Sequence, residues 1–172
     1  GTLVVIDCSS GSMATYQPEV AKIPLPPCST FKIVNSLIGL ETGIISSPYE
    51  HFYRWDGVER SLAAWNRDLT LREAFEASCV PAFQDLARKI GPERMQGWID
   101  KIGYGNRDIS AGIDLFWLPS KGRNTIMISP VQQAGLMQRI VSGEIPFSKA
   151  SLETLKKLMF IKAITENKAN LI

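Results

Sequence analysis

An apolar, helix-length run at residues 26–43 constrains the fold of this chain more than any other segment. It opens with Pro26-Pro27, which hold the entering chain extended because a proline is not tolerated inside a helix. The apolar side chains that follow cover almost the whole circumference of the predicted helix (Phe31, Ile33, Val34, Leu37, Ile38 and Leu40). A helix that is apolar all round is a buried one. Gly43 stands where a left-handed residue would end it.

Two chemically reactive side chains, Ser29 and Lys32, share a face of the first turn of this helix. Serine is a poor nucleophile unless a base lies within hydrogen-bond reach. Lysine can be that base when its amine is neutral, a state that burial and the positive end of a helix dipole both favour. The helix N-terminus also offers backbone N–H groups to an oxyanion. A capping serine and a solvated lysine are the alternative, but the apolar surroundings favour the catalytic pair.

Composition removes several classes of function. The chain has 172 residues, 45% of them hydrophobic, which is enough for one domain with a substantial core. Its net charge of +2 suggests neither a nucleic acid nor a membrane surface as partner. No apolar run reaches the roughly 18 residues that span a bilayer. The cysteines (Cys8, Cys28 and Cys79) lack metal-ligand spacing, and we expect no structural disulfide. The only histidine, His51, is interpreted as an exposed loop residue, so the hydrolytic base must be another group.

The pattern of breakers and caps predicts a hairpin followed by six helices. The hairpin pairs residues 2–7 with residues 13–16 across a Ser-rich turn. The helices are expected between Pro27 and Gly43, from Thr70 to near Ala77, from Pro81 to Gly91, from Glu93 to Ile102, from Pro130 to about Val141, and from Ala150 to Phe160. A hairpin alone is marginally stable, so either the helices cover it or further strands complete its sheet.

Three short motifs occur along the chain in a fixed order: Ser29-Thr30-Phe31-Lys32, Ser78-Cys79-Val80 and Tyr104-Gly105-Asn106. Flanking segments add to the pattern (Trp55-Asp56-Gly57, Ala64-Trp65-Asn66-Arg67-Asp68 and Gly112-Ile113-Asp114-Leu115-Phe116-Trp117). Together they resemble the class D serine β-lactamases, the oxacillinases, over essentially the whole chain. The Ser-x-x-Lys element is shared with class A β-lactamases and penicillin-binding proteins.

The resemblance implies a single α+β domain over residues 1–172, with the serine β-lactamase and penicillin-binding-protein fold: a helical subdomain and a mostly antiparallel sheet. It implies hydrolysis of β-lactams through an acyl-enzyme on Ser29, whose N–H forms half of the oxyanion hole. Lys32 would be the general base, as a carbamate formed with carbon dioxide or bicarbonate; no metal and no other cofactor is expected. Ser78 would relay a proton to the leaving nitrogen, serve merely as an N-cap for the next helix, or do both.

The resemblance also assigns the surroundings of Lys32. Val80, Phe83 and Trp117 would enclose it, with the Trp117 indole donating to the carbamate. Tyr104 and Asn106 would shape the edge of the site in a supporting role. Simple core packing is the alternative for Val80, Phe83 and Trp117.

The sequence departs from the family pattern in two places. The family carries a Lys-Thr-Gly motif on a strand after the last helix, and no Lys-Thr-Gly occurs here. The domain is therefore expected to be incomplete at its C-terminus, without the C-terminal sheet strands, and trimmed at its N-terminus. The second departure is residues 117–124, which form a longer and more basic loop than in the family.

Three functions stay open on this evidence: a β-lactamase, a β-lactam sensor domain acylated without turnover, and a non-catalytic truncated homologue. The resemblance implies penicillins and other β-lactam antibiotics as ligands, a role in antibiotic resistance, and a bacterial periplasmic or secreted location. No signal peptide and no membrane segment is found in this chain, and a homodimer is left open.

Overall fold

The computed structural model describes residues 1–160. The C-terminal end of the chain, where the domain is expected to be incomplete, lies outside the described residues. Helices dominate within that part, and two small antiparallel sheets accompany them. The strands are β1 (Leu3–Ile6), β2 (Met13–Tyr16), β3 (His51–Tyr53) and β4 (Leu69–Thr70). The helices are α1 (Pro18–Ala21), α2 (Phe31–Glu41), α3 (Leu71–Glu76), α4 (Val80–Ile90), α5 (Pro92–Ile102), α6 (Pro130–Ser142) and α7 (Lys149–Met159). This mixture agrees with the predicted α+β class.

Helix α2 lies at the centre of the core, as its all-round apolar pattern predicts. Phe31, Leu37 and Ile38 are fully buried in it, and α4 and α7 pack against it. Gly39 permits the close approach of α4, because a Cβ atom at this position would lie 3.0 Å from Leu86 Cδ1. The predicted start of the helix needs one correction: Cys28–Thr30 form a separate 3₁₀ turn, and Ser29 therefore precedes α2.

The sheets are smaller and more numerous than predicted. Strands β1 and β2 pair antiparallel, with Leu3 opposite Tyr16, and one face of this hairpin packs on α6. The β3–β4 pair was not predicted, and His51 begins β3 instead of lying in a loop, although its side chain is exposed as expected. Strands of two or three residues are too short to show the alternation by which a strand is recognised.

Most helix ends follow the predicted caps. Thr70 and Ser129 each form a capping box, with Glu73 and Gln132 respectively, and Gly103 takes the left-handed conformation that ends α5. Helix α1 was not predicted, because four residues carry no apolar period. Among residues 1–160, no helix is both long and apolar enough to cross a membrane.

The carboxylate of Glu41 joins the end of α2 to the start of α7. Its Oε2 atom accepts hydrogen bonds from Ser148 N (3.0 Å), Ser148 Oγ (2.8 Å) and Ser151 Oγ (2.6 Å). Burial alone would raise the pKa of Glu41, but these bonds from Ser151 and Ser148 outweigh it and lower the pKa below the usual 4.5. The folded state therefore favours the charged carboxylate.

Replacing Glu41 with glutamine is expected to lower the free energy of unfolding by about 1 kcal/mol near neutral pH, because charge-assisted hydrogen bonds become neutral ones. The folded pKa is depressed, so the wild-type advantage is present above the unfolded pKa and is lost as the pH falls through the folded pKa. Urea unfolding of both proteins across the acid range measures this. Glu153→Gln, which changes an exposed carboxylate of α7, is the control and should change stability little. An advantage that persists in strong acid would contradict the assignment.

Candidate active site

Ser29, Lys32 and Ser78 form a closed hydrogen-bonded triangle. Lys32 Nζ lies 2.8 Å from Ser29 Oγ and 3.0 Å from Ser78 Oγ, and the two hydroxyl oxygens are 3.2 Å apart. The structure thus brings together the three residues that the sequence predicted as catalytic, one of them 46 positions from Lys32. A nucleophile, a base and a second proton carrier within one hydrogen-bond distance of each other can support acyl transfer.

The 3₁₀ turn before α2 presents Ser29 to solvent. Cys28 has a left-handed backbone (φ 49°), and Thr30 Oγ1 donates to the Pro27 carbonyl oxygen at 2.7 Å, which together fix the entry of the chain. The Ser29 N–H has no hydrogen-bond acceptor in residues 1–160. It is therefore free to face an oxyanion, as the predicted half of the oxyanion hole requires.

Lys32 is a buried amine. Only 2% of the residue is exposed, and its Nζ lies 5.7 Å from the centre of the Phe83 ring. Burial lowers the pKa of Lys32 from 10.5, and the thiols of Cys79 and Cys28 oppose this only partly. No carboxylate forms an ion pair with this lysine in residues 1–160. Both facts favour the neutral amine that a general base requires.

Ser78 is held in a strained turn at the end of α3. Its φ is 48°, a left-handed value that glycine usually adopts. Cys79 N donates to the Ala74 carbonyl and Ser78 N donates to the Phe75 carbonyl, the two bonds of a Schellman motif. The alternative interpretation of Ser78 as the N-cap of α4 is wrong, because Cys79 occupies that position without a side-chain cap. The sequence shows a serine where this motif favours glycine.

A cleft of about 350 Å³ opens over the triangle. It is lined by Ser29, Thr30, Lys32, Ile33, Phe75, Ser78 and Met159. Sequence reasoning assigned no role to Thr30 and missed three apolar residues, namely Ile33, Phe75 and Met159. They are apolar side chains of helices or helix ends, and nothing in their spacing separates a residue that lines a cleft from one that packs in a core.

Trp117 and Phe83 are buried, Phe83 beside Lys32 Nζ, while Val80 is half-buried as the first residue of α4. Trp117 stacks on Phe31 with 5.4 Å between ring centres. The Trp117 indole N–H is buried and has no hydrogen-bond partner in the described residues. An unpaired buried donor costs about 1–3 kcal/mol, so this one calls for an acceptor.

Tyr104 and Asn106 support the site without lining the cleft. Tyr104 is buried with its ring 5.5 Å from Phe31, and Asn106 exchanges two hydrogen bonds with Met127. Gly105 between them is required, since a Cβ atom there would lie 2.1 Å from the Met127 carbonyl oxygen. This placement fits the predicted supporting role, while a direct substrate contact by either residue stays a prediction.

The loop that follows Trp117, which was predicted to be longer than in the family, closes on itself at the surface. Arg123 donates to the Leu118 carbonyl oxygen at 2.8 Å, and Ile126 N donates to the Phe116 carbonyl oxygen at 2.8 Å. Its tip, which includes Lys121, is exposed. Trp117 itself is fully buried.

Comparison with known proteins agrees with this fold. The family model of the penicillin-binding protein transpeptidase domain matches residues 4–170. A solved class D β-lactamase from Bacillus subtilis superposes with a TM-score of 0.89 at 39% identity, over 95% of this chain and 67% of that one. This chain therefore belongs to the penicillin-binding protein transpeptidase family, in which it groups with the class D β-lactamases, and the predicted fold is confirmed.

Two curated relatives are similar over almost the whole chain. Beta-lactamase OXA-10 of Pseudomonas aeruginosa is 41% identical over 166 residues, which are 96% of this chain and 60% of the relative. Probable beta-lactamase YbxI of Bacillus subtilis (strain 168) is 40% identical over 159 residues, which are 92% of this chain and 58% of the relative. The chain thus spans about 60% of the length of these curated relatives.

Proposed function

We propose that this chain carries the acylating machinery of a class D β-lactamase and opens penicillins by forming an acyl-enzyme on Ser29. The observation that supports this most directly is the hydrogen-bonded triangle of Ser29, Lys32 and Ser78 at the floor of an open cleft. Within residues 1–160, Lys32 is buried without a carboxylate partner, which costs desolvation free energy. Its position beside the Ser29 hydroxyl is the one that a general base requires.

The distances define a proton route for acylation. Lys32 Nζ removes the proton of Ser29 Oγ as that oxygen attacks the β-lactam carbonyl carbon. The Ser29 N–H stabilises the oxyanion, and the ring C–N bond then breaks. Ser78, which contacts both partners, passes a proton from Lys32 to the departing nitrogen. Water hydrolyses the ester in a second step, which regenerates Ser29.

Carbamylation of Lys32 is part of the proposal. A neutral amine adds carbon dioxide and releases one proton, and burial supplies the neutral amine by lowering the pKa of Lys32. The unpaired indole N–H of Trp117 is the donor that a carbamate oxygen would need. A carbamate supplies an anionic oxygen base in place of the amine nitrogen. The predicted periplasmic or secreted location, the role in resistance and the homodimer remain predictions.

Intact mass of the full chain, mixed with benzylpenicillin with and without bicarbonate, tests the proposal. We expect a covalent adduct of the penicillin mass on wild type and none on Ser29→Ala, because acylation requires the Ser29 hydroxyl. A transient adduct with hydrolysed drug indicates a complete β-lactamase. A persistent adduct supports acylation but assigns the chain to the sensor class. No adduct in a sample shown to be folded would overturn the proposal and favour the non-catalytic homologue.

A further inference from the structure

Trp65 is tied to the backbone beside Ser78 although it does not line the cleft. Its indole Nε1 donates to the Ala77 carbonyl oxygen at 3.0 Å, and this carbonyl belongs to the peptide that carries the Ser78 N–H. We propose that Trp65 is a positioning residue that holds Ser78 against Ser29 and Lys32 during acylation. The inference rests on the proposed function.

The Ala77 carbonyl oxygen receives no hydrogen bond from the backbone of the turn. In the Schellman motif, the carbonyls of Ala74 and Phe75 accept the N–H groups of Cys79 and Ser78. The carbonyl of the C-cap residue, Ala77, has no partner in that motif, and Trp65 supplies one from 12 residues upstream. Both the carbonyl and the N–H of the Ala77–Ser78 peptide are then hydrogen-bonded, which prevents the peptide plane from rotating. The direction of the Cα–Cβ bond of Ser78 is therefore fixed as well.

Strain makes this support necessary. A residue other than glycine in the left-handed region costs on the order of 1–2 kcal/mol. Rotation of the Ala77–Ser78 peptide toward a relaxed conformation would release this strain. One hydrogen bond contributes about 1 kcal/mol, a comparable quantity. Without the Trp65 bond, the relaxed turns are populated and the Ser78 hydroxyl moves out of the triangle.

The segment that carries Trp65 is itself well anchored. Asn66 and Arg60 exchange two hydrogen bonds of 2.9 Å, each between a side chain and a backbone group. Arg60 also contacts Asp56 through two nitrogens at 2.8 and 2.7 Å. Asp68 accepts from Trp55 N at 2.8 Å. These bonds hold the loop 54–68 in one conformation. The half-buried indole of Trp65 is therefore held in position to donate to the Ala77 carbonyl oxygen.

Trp65→Phe, which keeps an aromatic ring but removes the N–H donor, is expected to slow acylation of Ser29 by a fluorescent penicillin about tenfold, the equivalent of about 1.4 kcal/mol. Trp55→Phe is the matched control. It removes another indole bond of the same loop, from Trp55 Nε1 to the Val58 carbonyl oxygen at 3.0 Å, that does not reach the Ser78 turn. Its acylation rate should stay within about twofold of wild type.

A double-mutant cycle separates positioning from general structural support. If Trp65 acts through Ser78, then Trp65→Phe in the Ser78→Ala background should change the acylation rate by less than about twofold. An equal tenfold loss in both backgrounds would overturn the proposal, as would an unchanged rate in Trp65→Phe alone.

A second readout keeps the test valid if the chain is not acylated at all, which would be a failure of the proposed function. Lys32 can be titrated by NMR of ¹³C-labelled lysine in the free protein. Ser78→Ala and Trp65→Phe should shift the Lys32 titration in the same direction, because both remove the Ser78 oxygen from Nζ, and Trp55→Phe should leave it in place. Titration curves of Trp65→Phe and wild type that coincide would overturn the positioning role.

Discussion

Replacing Lys32 with methionine is expected to slow acylation of Ser29 by about a thousandfold, the middle of the range for loss of a general base. The same change should leave the fold intact or raise the free energy of unfolding by about 1 kcal/mol, since an apolar chain of similar length replaces an amine that is only 2% exposed. Stopped-flow acylation by a fluorescent penicillin and urea unfolding measure the two effects. A lower acylation rate together with a higher free energy of unfolding would identify Lys32 as a residue whose role is catalytic and not structural.

Lys121→Met is the control, because Lys121 is an exposed loop lysine and its loss should change neither measurement. Two results would contradict the assignment of Lys32. One is acylation of Lys32→Met at the wild-type rate. The other is a stability loss of more than about 2 kcal/mol, which would show that the buried nitrogen contributes more through its hydrogen bonds than its desolvation costs.

The pH dependence of stability gives an independent check on Lys32. Its pKa is lowered from 10.5 in the folded chain, so between the two pKa values the unfolded chain binds more protons than the folded one. The free energy of unfolding contributed by Lys32 therefore rises with pH across that interval and is constant below it. Lys32→Met should lack this rise. An identical pH dependence in both proteins would mean that the amine titrates as a solvated lysine.

Much of the site could be predicted because several of its reactive residues lie close together in short sequence motifs. Ser29 and Lys32 are three residues apart at the start of α2, a spacing that brings their side chains together, and the apolar run that follows predicts the burial of Lys32. The capping box of Thr70 and Glu73 likewise marks the start of α3 correctly. These are local effects, decided within one or two turns of chain, and local effects are what a single sequence expresses directly.

The remainder depends on contacts between distant segments. The bond from Trp65 to the Ala77 carbonyl and the cleft wall formed by Phe75 and Met159 arise only when loop, turn and helix end meet in the fold. The left-handed conformation of Ser78 also escapes prediction, because serine has no preference for it. Tertiary context imposes that conformation, through the hydrogen bond from Trp65 and the two bonds of the Schellman motif.

Strained backbone is concentrated around the triangle. Four residues other than glycine have positive φ in residues 1–160, and two of them, Cys28 and Ser78, either precede the nucleophile or belong to the triangle. Such conformations persist where the surrounding structure fixes them, and they occur preferentially at functional sites. At Ser78 this link between strain and function can be tested, because substitution by alanine removes the hydroxyl alone, whereas substitution by glycine removes both the hydroxyl and the strain.

Ser78→Ala and Ser78→Gly are expected to slow acylation equally, by about a hundredfold, because both remove the hydroxyl that passes the proton to the leaving nitrogen. They should differ in stability. Alanine keeps the strained Cβ atom at a φ of 48°, whereas glycine adopts this value freely, so Ser78→Gly should be more stable than Ser78→Ala by about 1 kcal/mol. Urea unfolding and stopped-flow acylation of the same samples provide both numbers.

Arg107→Gly is the matched control for the strain alone. Arg107 has a φ of 62° on an exposed turn outside the cleft, so glycine there should gain similar stability while acylation stays at the wild-type rate. If Ser78→Gly is no more stable than Ser78→Ala, the turn is not strained and the reason given for Trp65 fails. If instead the expected pattern is found, then the backbone at position 78 is strained by any residue with a Cβ atom, and the hydroxyl of Ser78 is the group for which the chain keeps that strain.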